Sequence, residues 1–333
     1  MKADPKTDPF FTAEIQARIH ASATIGTAGG GHELQFAALG TRCRVNYVSL
    51  PGRARAVAEK VVDWVAAFEA KYSRFLSTSL VSQINAAAGG DWTPLDPEAD
   101  RIFALCDQLH FLTGGILEPT ALPFVRLWDW KTGRVPSDAE IATAGGLVGW
   151  RLVERVPGRI RLSRLGMAID LGGMGKEFAV DHVMALLAQQ GVSSALVDFG
   201  ADVRAAGPPP DGRPAWYIGL DDPVNPGRAW TGLGVRDAAV ATSGDYVRKF
   251  EISGRRYGHI IDPRTGRPVA NGVRAASVIA PSCTQAGMLS TAACVLGAVE
   301  GLRLLERTPG ISGAIVTETG TFTTKRFYEN VPS

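Results

Sequence analysis

The segment that most constrains the fold is Ile169-Asp-Leu-Gly-Gly-Met-Gly-Lys176, an apolar run that breaks into glycines and ends on a lysine. An amphipathic stretch follows, so we predict that a strand passes into a helix here. The glycines let the backbone approach a ligand closely, the helix start offers unpaired N–H groups, and lysine adds a positive charge. The segment therefore predicts a site for an anionic ligand, with Asp170 available for a base edge or a metal. It matches neither the phosphate-loop nor the dinucleotide fingerprint, so its meaning depends on the rest of the chain.

Composition limits the classes of protein to which the chain can belong. With 333 residues, 45% hydrophobic and 20% charged, it has the composition of a globular protein with a large core. A net charge of +2 gives no basic surface that would favour nucleic acid as a partner. No apolar run approaches the length that spans a bilayer, so we predict no membrane span.

The N-terminal region, residues 1–31, is polar and then glycine-rich, and we expect it to form a mobile leader. It lacks the basic start, apolar middle and cleavage site of a secretory signal, which predicts a cytoplasmic protein. The alternative is a periplasmic protein whose start codon has been misassigned. The cysteines have no metal-finger or redox spacing, and we expect reduced, buried thiols at Cys43, Cys106, Cys283 and Cys294.

Residues 32–330 are expected to form a single folded domain of the α+β class. Helical periodicity is clear in 53–75, 97–112 and 174–190, and alternating or buried apolar runs predict strands at 34–49, 195–199, 238–242 and 274–280. The helices and strands occur in blocks rather than in strict alternation, which favours α+β over a doubly wound parallel sheet. The Leu39-Gly-Thr41 interruption of the first strand region predicts a bulge or a point of close approach.

Two segments near the end of the chain are candidates for phosphate chemistry. Thr242-Ser-Gly-Asp-Tyr246 has small hydroxyls and a glycine that could cradle a pyrophosphate, although a plain hairpin turn would need the same residues. His259 comes shortly before Asp262-Pro-Arg-Thr-Gly266, a strong tight-turn sequence. A rigid turn would position an acid–base group or a phosphate contact, but a lone strand histidine is more often structural.

Two further segments carry weaker signals. In Thr113-Gly-Gly-Ile-Leu-Glu-Pro-Thr120, Glu118 could line a ligand site, or the segment could simply end a helix. A predicted helix beginning near Gln285 puts positions 287 and 291 on one face, since they are four residues apart. Thr291 offers a hydroxyl on that face, whereas Gly287 offers only backbone and lowers helix stability.

Taken in order and spacing, these segments resemble the ApbE family of FAD:protein FMN transferases. The resemblance covers roughly residues 36–320, and any one motif is unspecific, but the ordered set is difficult to obtain by chance. The matching segments are Leu39-Gly-Thr41, Tyr72-Ser-Arg-Phe75 with Ser79 and Asn85, Gly114-Gly-Ile-Leu-Glu-Pro-Thr120, Ile169–Lys176 with Asp181, Phe199-Gly-Ala-Asp-Val203, Ala241-Thr-Ser-Gly-Asp-Tyr246, His259-Ile-Ile-Asp-Pro-Arg-Thr-Gly266 and Leu289-Ser-Thr291.

The resemblance implies a two-lobed α+β fold, with mixed or antiparallel sheets flanked by helices and FAD bound in a cleft between the lobes. It implies Mg²⁺ on the pyrophosphate and a reaction that moves the FMN half of FAD onto a threonine or serine hydroxyl of an acceptor protein, leaving AMP. Lys176 and His259 match the catalytic positions, and both also match FAD contacts. The other positions that match the FAD site are Leu39, Glu118, Asp170, Thr242, Ser243, Gly244 and Asp245.

The metal site is where the chain departs from the family pattern. The resemblance implies Mg²⁺ ligands at Thr291, at the backbone oxygen of Gly173 and at an aspartate whose position is occupied here by Gly287. Lesser departures are Glu118 for aspartate, Ala201 for glycine and Glu177 for the glycine that usually follows the lysine. We therefore weigh a working transferase against an FAD-binding relative without transfer activity and against a slow FAD pyrophosphatase.

Overall fold

The computed structural model of the chain describes residues 13–128, 133–225, 227–244, 249–252 and 255–332. Its helices within those ranges are α1 (Ala13–Ser22), α2 (Ala54–Tyr72), α3 (Leu80–Ala86), α4 (Pro97–Leu112), α5 (Leu122–Leu127), α6 (Asp138–Gly145), α7 (Gly175–Gln189), α8 (Cys283–Leu296) and α9 (Ala298–Arg307). Short 3-10 helices occur at Trp150–Leu152 and Phe327–Asn330. No helix in the described part of the chain is both long enough and apolar enough to cross a membrane.

The strands follow the same chain order. They are β1 (Thr24–Ala28), β2 (Gly31–Ala38), β3 (Thr41–Tyr47), β4 (Thr93–Pro94), β5 (Val153–Val156), β6 (Arg159–Leu162), β7 (Ala195–Phe199), β8 (Val203–Ala206), β9 (Trp216–Asp221), β10 (Ala229–Val235), β11 (Ala239–Gly244), β12 (Lys249–Ile252), β13 (Arg255–Gly258), β14 (Ile261–Asp262), β15 (Arg267–Pro268), β16 (Val273–Ala280), β17 (Ser312–Thr317) and β18 (Thr321–Thr323).

A large antiparallel sheet organises the molecule. Within the described residues it has nine strands in the order β1-β2-β3-β7-β8-β11-β16-β17-β18. The neighbouring strands pair antiparallel, for example Val45 with Val197 between β3 and β7, and Ala241 with Val278 between β11 and β16. Small antiparallel pairs and a three-stranded sheet surround it. This mixture of helices and antiparallel sheets confirms the predicted α+β class.

The two faces of the main sheet are covered differently. Helices α2, α7 and α8 pack on one face, where Ala241 and Val278 join the main hydrophobic core. Val240 and Ile279, one residue away in their strands, belong instead to a second apolar cluster with the β9–β10 hairpin. Successive side chains of a strand point to opposite faces, so one strand serves both clusters. This arrangement explains why the first half of β11, Ala239–Ala241, and most of β16 are buried without alternation, which is typical of strands covered on both faces.

The structure corrects the expectation of a mobile leader through residue 31. Ile15 and Ile19 of α1 are buried against the core, and α1 packs on α2. Strand β1 pairs with β2 from Thr24 opposite Gln35 to Ala28 opposite Gly31. The polar composition hid a short apolar stripe, because two isoleucines four residues apart are enough to bury one face of a helix.

The Leu39-Gly-Thr41 segment is a tight turn rather than a bulge, and it is a point of close approach, since a Cβ on Gly200 would lie 2.3 Å from the Thr41 hydroxyl. Ala38 pairs with Thr41, so only Leu39 and Gly40 connect β2 to β3, and their φ values are 54° and 71°. Two central residues with positive φ are typical of the turn that matches the twist of a two-residue hairpin. Glu69 of α2 accepts a hydrogen bond from the backbone N–H of Leu39 at 2.6 Å and holds the turn against the helix.

Candidate functional site

The glycine turn leads directly into α7, but the segment before it is extended chain held by a side chain rather than a strand. The amide of Asn85 accepts a hydrogen bond from the backbone N–H of Ile169 at 2.7 Å and donates to the carbonyl of the same residue at 3.0 Å. These bonds supply what a neighbouring strand would otherwise provide. Met174 is the N-cap of α7 and gives no side-chain cap, although the backbone N–H of Gly175 donates to the carbonyl of Leu171 at 2.6 Å. Contact of an anion with the N–H groups at this helix start remains a prediction.

Asp170 is tied to three neighbouring segments. Its carboxylate pairs with the Arg74 guanidinium at 2.9 Å and accepts a hydrogen bond from the backbone N–H of Gly172 at 3.0 Å. Its own N–H donates to the carbonyl of Pro119 at 2.8 Å. Asp170 therefore shapes the glycine turn and links it to the 113–120 segment, and its predicted contact with FAD remains a prediction.

Glu118 lies beside that segment with its carboxylate engaged by the protein. The backbone N–H and the hydroxyl of Thr120 donate to one oxygen, and the backbone N–H of Trp150 donates to the other at 3.0 Å. His110 Nδ1 lies 3.6 Å from the same carboxylate. These contacts fix the loop after α4, and binding of FAD by Glu118 stays a prediction.

Lys176 forms an ion pair with Asp202, a residue that was not among the predicted site positions. The lysine Nζ donates to Asp202 Oδ2, and Asp202 is only 4% exposed. Burial acts to lower the pKa of Lys176, but the attraction of Asp202 and then of Glu177 outweighs it, so the pKa lies above its usual range. The ammonium group is therefore kept charged at the start of α7, as contact with a phosphate requires.

Two hairpin turns meet beside this ion pair. Gly200 and Ala201 are the central residues of the β7–β8 turn, and a Cβ on Gly200 would lie 2.3 Å from the Thr41 hydroxyl at the start of β3. The two turns are brought together because β3 and β7 are paired, with Cys43 opposite Phe199. The structure thus brings Leu39, Lys176 and Asp202 to the same end of the sheet.

Ala201 is in a conformation that favours glycine. Its φ is 72°, and it is exposed, so removing its methyl group costs little packing. An L-residue pays roughly 1–2 kcal/mol in this region. We expect Ala201→Gly to raise the free energy of unfolding by about 1 kcal/mol, since glycine's greater freedom in the unfolded chain offsets part of the relief. Urea denaturation measures this change.

The matched control for that prediction is Ala142→Gly, an exposed alanine in the interior of α6. The same change of residue there should lower the free energy of unfolding by about 1 kcal/mol, because glycine is the weaker helix former. Equal losses at both positions would contradict strain at Ala201.

Thr242 and Ser243 lie within β11, and their hydroxyls point in opposite directions. Thr242 Oγ1 is 2.8 Å from Ser277 Oγ on the neighbouring strand β16, whereas Ser243 Oγ lies 2.9 Å from Thr291 Oγ1 and 2.8 Å from Ser290 Oγ on α8. The two hydroxyls therefore contact different elements, and binding of FAD by Thr242, Ser243 and Gly244 remains a prediction. Gly244 ends the strand, and Asp245 lies outside the described residues.

The side chain of Glu177 occupies the space above Gly287. A Cβ on Gly287 would lie 2.5 Å from Glu177 Cγ and 2.8 Å from its Oε1. Glu177 is only 7% exposed, and its Oε2 is buried without a hydrogen-bond partner. Burial raises the pKa of this carboxyl to about 7, the charge of Asp202 adds to the rise, and Lys176 opposes it.

These observations test whether the implied Mg²⁺ fits the residues present. Mg²⁺ prefers hard oxygen ligands and usually takes at least one carboxylate. The Glu177 carboxylate, whose Oε2 has no hydrogen-bond partner, lies beside Gly287, and the Thr291 hydroxyl follows four residues later on the same helix face. The donor set therefore fits Mg²⁺. The Gly173 carbonyl belongs to the exposed part of the glycine turn, and its role as a ligand remains a prediction.

His259 lies one residue after β13 and is half-buried, rather than within a strand as the sequence predicted. The tight turn after it is confirmed, since the carbonyl of Asp262 accepts hydrogen bonds from the N–H groups of Thr265 and Gly266 at 3.1 and 2.8 Å. Trp128 Nε1 donates to the Gly266 carbonyl at 2.9 Å and anchors the turn. That His259 and Lys176 line one cleft remains a prediction.

Two small cavities lie elsewhere. One of about 150 Å³ is bordered by Gly31, Tyr47, Pro210 and Trp216, and one of about 80 Å³ by Trp128, Tyr257 and Pro268. Neither is lined by a residue predicted to bind FAD, and sites for larger ligands usually enclose roughly 300 Å³ or more. The cleft for FAD therefore also stays a prediction.

Comparison with known proteins decides the family. The family model described as the ApbE family matches residues 39–315, which is most of the chain. The chain belongs to the ApbE family. A curated relative from Treponema pallidum, named FAD:protein FMN transferase, is 33% identical over 300 residues, covering 84% of this chain and 82% of the relative. A relative of the same name from Vibrio cholerae is 29% identical over 275 residues, covering 80% and 82%.

Solved structures of ApbE proteins have the same fold. The chain matches the ApbE protein of Thermotoga maritima with a TM-score of 0.83 at 32% identity, covering 90% of this chain and 99% of that one. It matches the flavinyl transferase ApbE of Pseudomonas stutzeri, in its apo form, with a TM-score of 0.81 at 29% identity, covering 93% and 98%. The resemblance seen in the sequence is thus confirmed, and the curated relatives are transferase enzymes.

Reasoning from the sequence missed two acidic residues of this ApbE protein. Asp202 belongs to one of the matching motifs, and its position after a Gly-Ala pair at a hairpin turn could have identified it. Nothing in the sequence indicated that Lys176 is its partner. Glu177 was noted only as a departure from the family pattern. Its position beside Gly287 depends on the packing of α7 on α8, which no local pattern predicts.

Proposed function

We propose that this protein transfers the FMN half of FAD onto a threonine or serine hydroxyl of an acceptor protein and releases AMP. The observation that carries the proposal is the match to curated FAD:protein FMN transferases over about four-fifths of both chains. Lys176 supports the proposal, because it places a positive charge at the start of α7, which has no side-chain cap. A negatively charged pyrophosphate binds well to a positive charge at a helix N-terminus.

The chain's own residues have separate tasks in this reaction. Lys176, now held by Asp202, would contact a phosphate oxygen and offset the charge that develops during transfer. The Leu39–Gly40 turn and Asp170 would position the rest of FAD near it. Phosphoryl transfer depends mostly on such positioning and charge neutralisation, with little covalent assistance from the protein.

The transfer step exchanges one bond to phosphorus for another. The acceptor hydroxyl oxygen forms a bond to the FMN phosphorus, and the bond from that phosphorus to the bridging oxygen breaks, so that AMP leaves with the bridging oxygen. A ring nitrogen of His259 would take the hydroxyl proton. The tight turn that begins at Asp262 restricts the chain directly after this histidine.

The proposed reaction includes a divalent cation that binds next to the FAD pyrophosphate. Thr291 and the Gly173 carbonyl would hold Mg²⁺ together with the phosphates, and Gly287 itself offers no side chain. When bound, Mg²⁺ would neutralise pyrophosphate charge as a Lewis acid.

The experiment that tests the proposal is product analysis. The protein is incubated with FAD, Mg²⁺ and a flavin-acceptor protein that carries a target threonine, and products are separated by gel and chromatography. We expect a fluorescent acceptor band and one AMP for each flavin attached. Release of AMP with free FMN would instead indicate a pyrophosphatase, and bound FAD without AMP would indicate a binding protein.

A further inference from the structure

The carboxylate of Glu177, with one buried and unpartnered oxygen, is the most informative feature outside the predicted site residues. Other carboxylates near α7 and α8 have protein partners. Asp202 is paired with Lys176, and Asp181 accepts hydrogen bonds from the backbone N–H groups of Cys283 and Thr284 at 2.8 and 2.9 Å. Glu177 Oε2 is buried and has no such partner. A buried carboxylate oxygen left without a donor needs a proton or a cation beside it.

The position of this carboxylate identifies the ligand that it fits. It crosses from α7 to α8 and lies over Gly287, one helical turn before Thr291. The hydroxyls of Thr291 and Ser243 are 2.9 Å apart at the next turn of the helix. A carboxylate oxygen and neutral hydroxyl oxygens are ligands for a hard divalent cation, whereas the nearest ammonium group, on Lys176, already donates to Asp202.

We propose that Glu177 supplies the carboxylate ligand of the divalent cation, in place of the side chain that position 287 lacks. The two departures from the family pattern that the sequence resemblance implies then compensate for each other: Glu177 stands where that pattern has glycine, and Gly287 stands where it has aspartate. This inference rests on the proposed function, since it concerns the cation that acts on the FAD pyrophosphate.

The two positions are sterically interdependent. A Cβ at 287 would lie 2.5 Å from Glu177 Cγ, which is closer than side chains tolerate, so Glu177 can take its present position only above a glycine. An aspartate at 287 would both displace Glu177 and place a second negative charge beside it. A carboxylate is therefore expected from one helix or the other, but not from both.

The first test measures cation affinity directly, with Mn²⁺ as the probe. Purified full-length protein is titrated with Mn²⁺ in the presence and absence of FAD, and free Mn²⁺ is followed by electron paramagnetic resonance. We expect Glu177→Gln to weaken Mn²⁺ binding about 10-fold or more, since it keeps the shape of the side chain and removes its charge. The matched control is Glu98→Gln. It removes a carboxylate of α4 that pairs with Lys71 of α2, away from α7 and α8, and it should leave Mn²⁺ affinity unchanged.

The second test exchanges the two residues. Gly287→Asp alone should lower thermal stability, because the new side chain meets Glu177. Glu177→Gly alone should lose Mn²⁺ affinity as Glu177→Gln does. The double variant Glu177→Gly with Gly287→Asp should recover affinity to within a few-fold of the parent protein, which two independent losses would not do.

The outcomes separate this inference from the proposed function. Unchanged Mn²⁺ affinity in Glu177→Gln, or additive losses in the double variant, would overturn the role of Glu177 even if the parent protein transfers FMN. Conversely, loss of Mn²⁺ binding in Glu177→Gln with no transfer by the parent protein would support the cation site and contradict the proposed reaction.

Discussion

Replacing Lys176 by methionine is expected to lower the free energy of unfolding by about 3 kcal/mol, because it leaves the buried Asp202 carboxylate without its partner. The same change should slow FMN transfer by roughly 100- to 1,000-fold, the range typical of losing one charge-stabilising group. Urea denaturation measures the first effect, and the rate of AMP release measures the second.

A second variant separates these two effects. Lys176→Met combined with Asp202→Asn removes the unpaired charge, so most of the lost stability should return while transfer stays slow. Recovery of both stability and transfer in the double variant would contradict a direct role for Lys176 at the phosphate. Transfer at the parent rate in Lys176→Met alone would do the same.

The second large effect is expected at Gly266, which ends the tight turn after His259. Its φ is 67°, and a Cβ there would lie 2.6 Å from Phe124 and 2.8 Å from Ile141, on α5 and α6. Gly266→Ala should lower the free energy of unfolding by about 3 kcal/mol, from roughly 1–2 kcal/mol of backbone strain and a similar cost of overpacking. Because the turn follows His259, transfer should also slow, which AMP release measures.

Gly272→Ala is the control for Gly266. Its φ is 80°, but a Cβ there would meet nothing within 4 Å, so only the backbone cost remains, about 1 kcal/mol. The difference between the two variants measures the packing of the turn against α5 and α6. Equal losses of stability would show that this packing does not hold the turn, and an unchanged transfer rate in Gly266→Ala would show that it does not position His259.

Local patterns predicted most of the secondary structure well. The apolar periodicity of α2, α4 and α7 and the buried runs of β7 and β16 identified these elements to within a few residues. Turns with a specific chemistry, such as Asp262–Gly266, were also predicted, because proline and glycine act through their own backbone. Predictions based on composition alone were weaker: α1 lies in a polar segment, and two isoleucines make it part of the core.

In the candidate site, too, local segments were predicted from the sequence, whereas contacts between distant segments were not. Lys176, Asp170 and Thr291 were predicted as site residues because each belongs to a short segment whose spacing carries meaning. Their partners were not: Arg74 reaches Asp170 from the end of α2, and Asp202 reaches Lys176 from a hairpin. Such pairs join residues far apart in sequence, so they become visible only when strands and helices pack.

The sequence by itself determined the α+β class and the family and indicated the segments proposed to carry the chemistry, because these follow from periodicity, turn residues and ordered motifs. Only the tertiary structure decided which charges face one another. Gly287, where the resemblance implies an aspartate, reads in the sequence as a missing ligand, whereas in the fold Glu177 lies over that glycine with an unpartnered oxygen. The physical reason is that α7 and α8 pack side by side, and space left by one helix can be occupied by a side chain of the other.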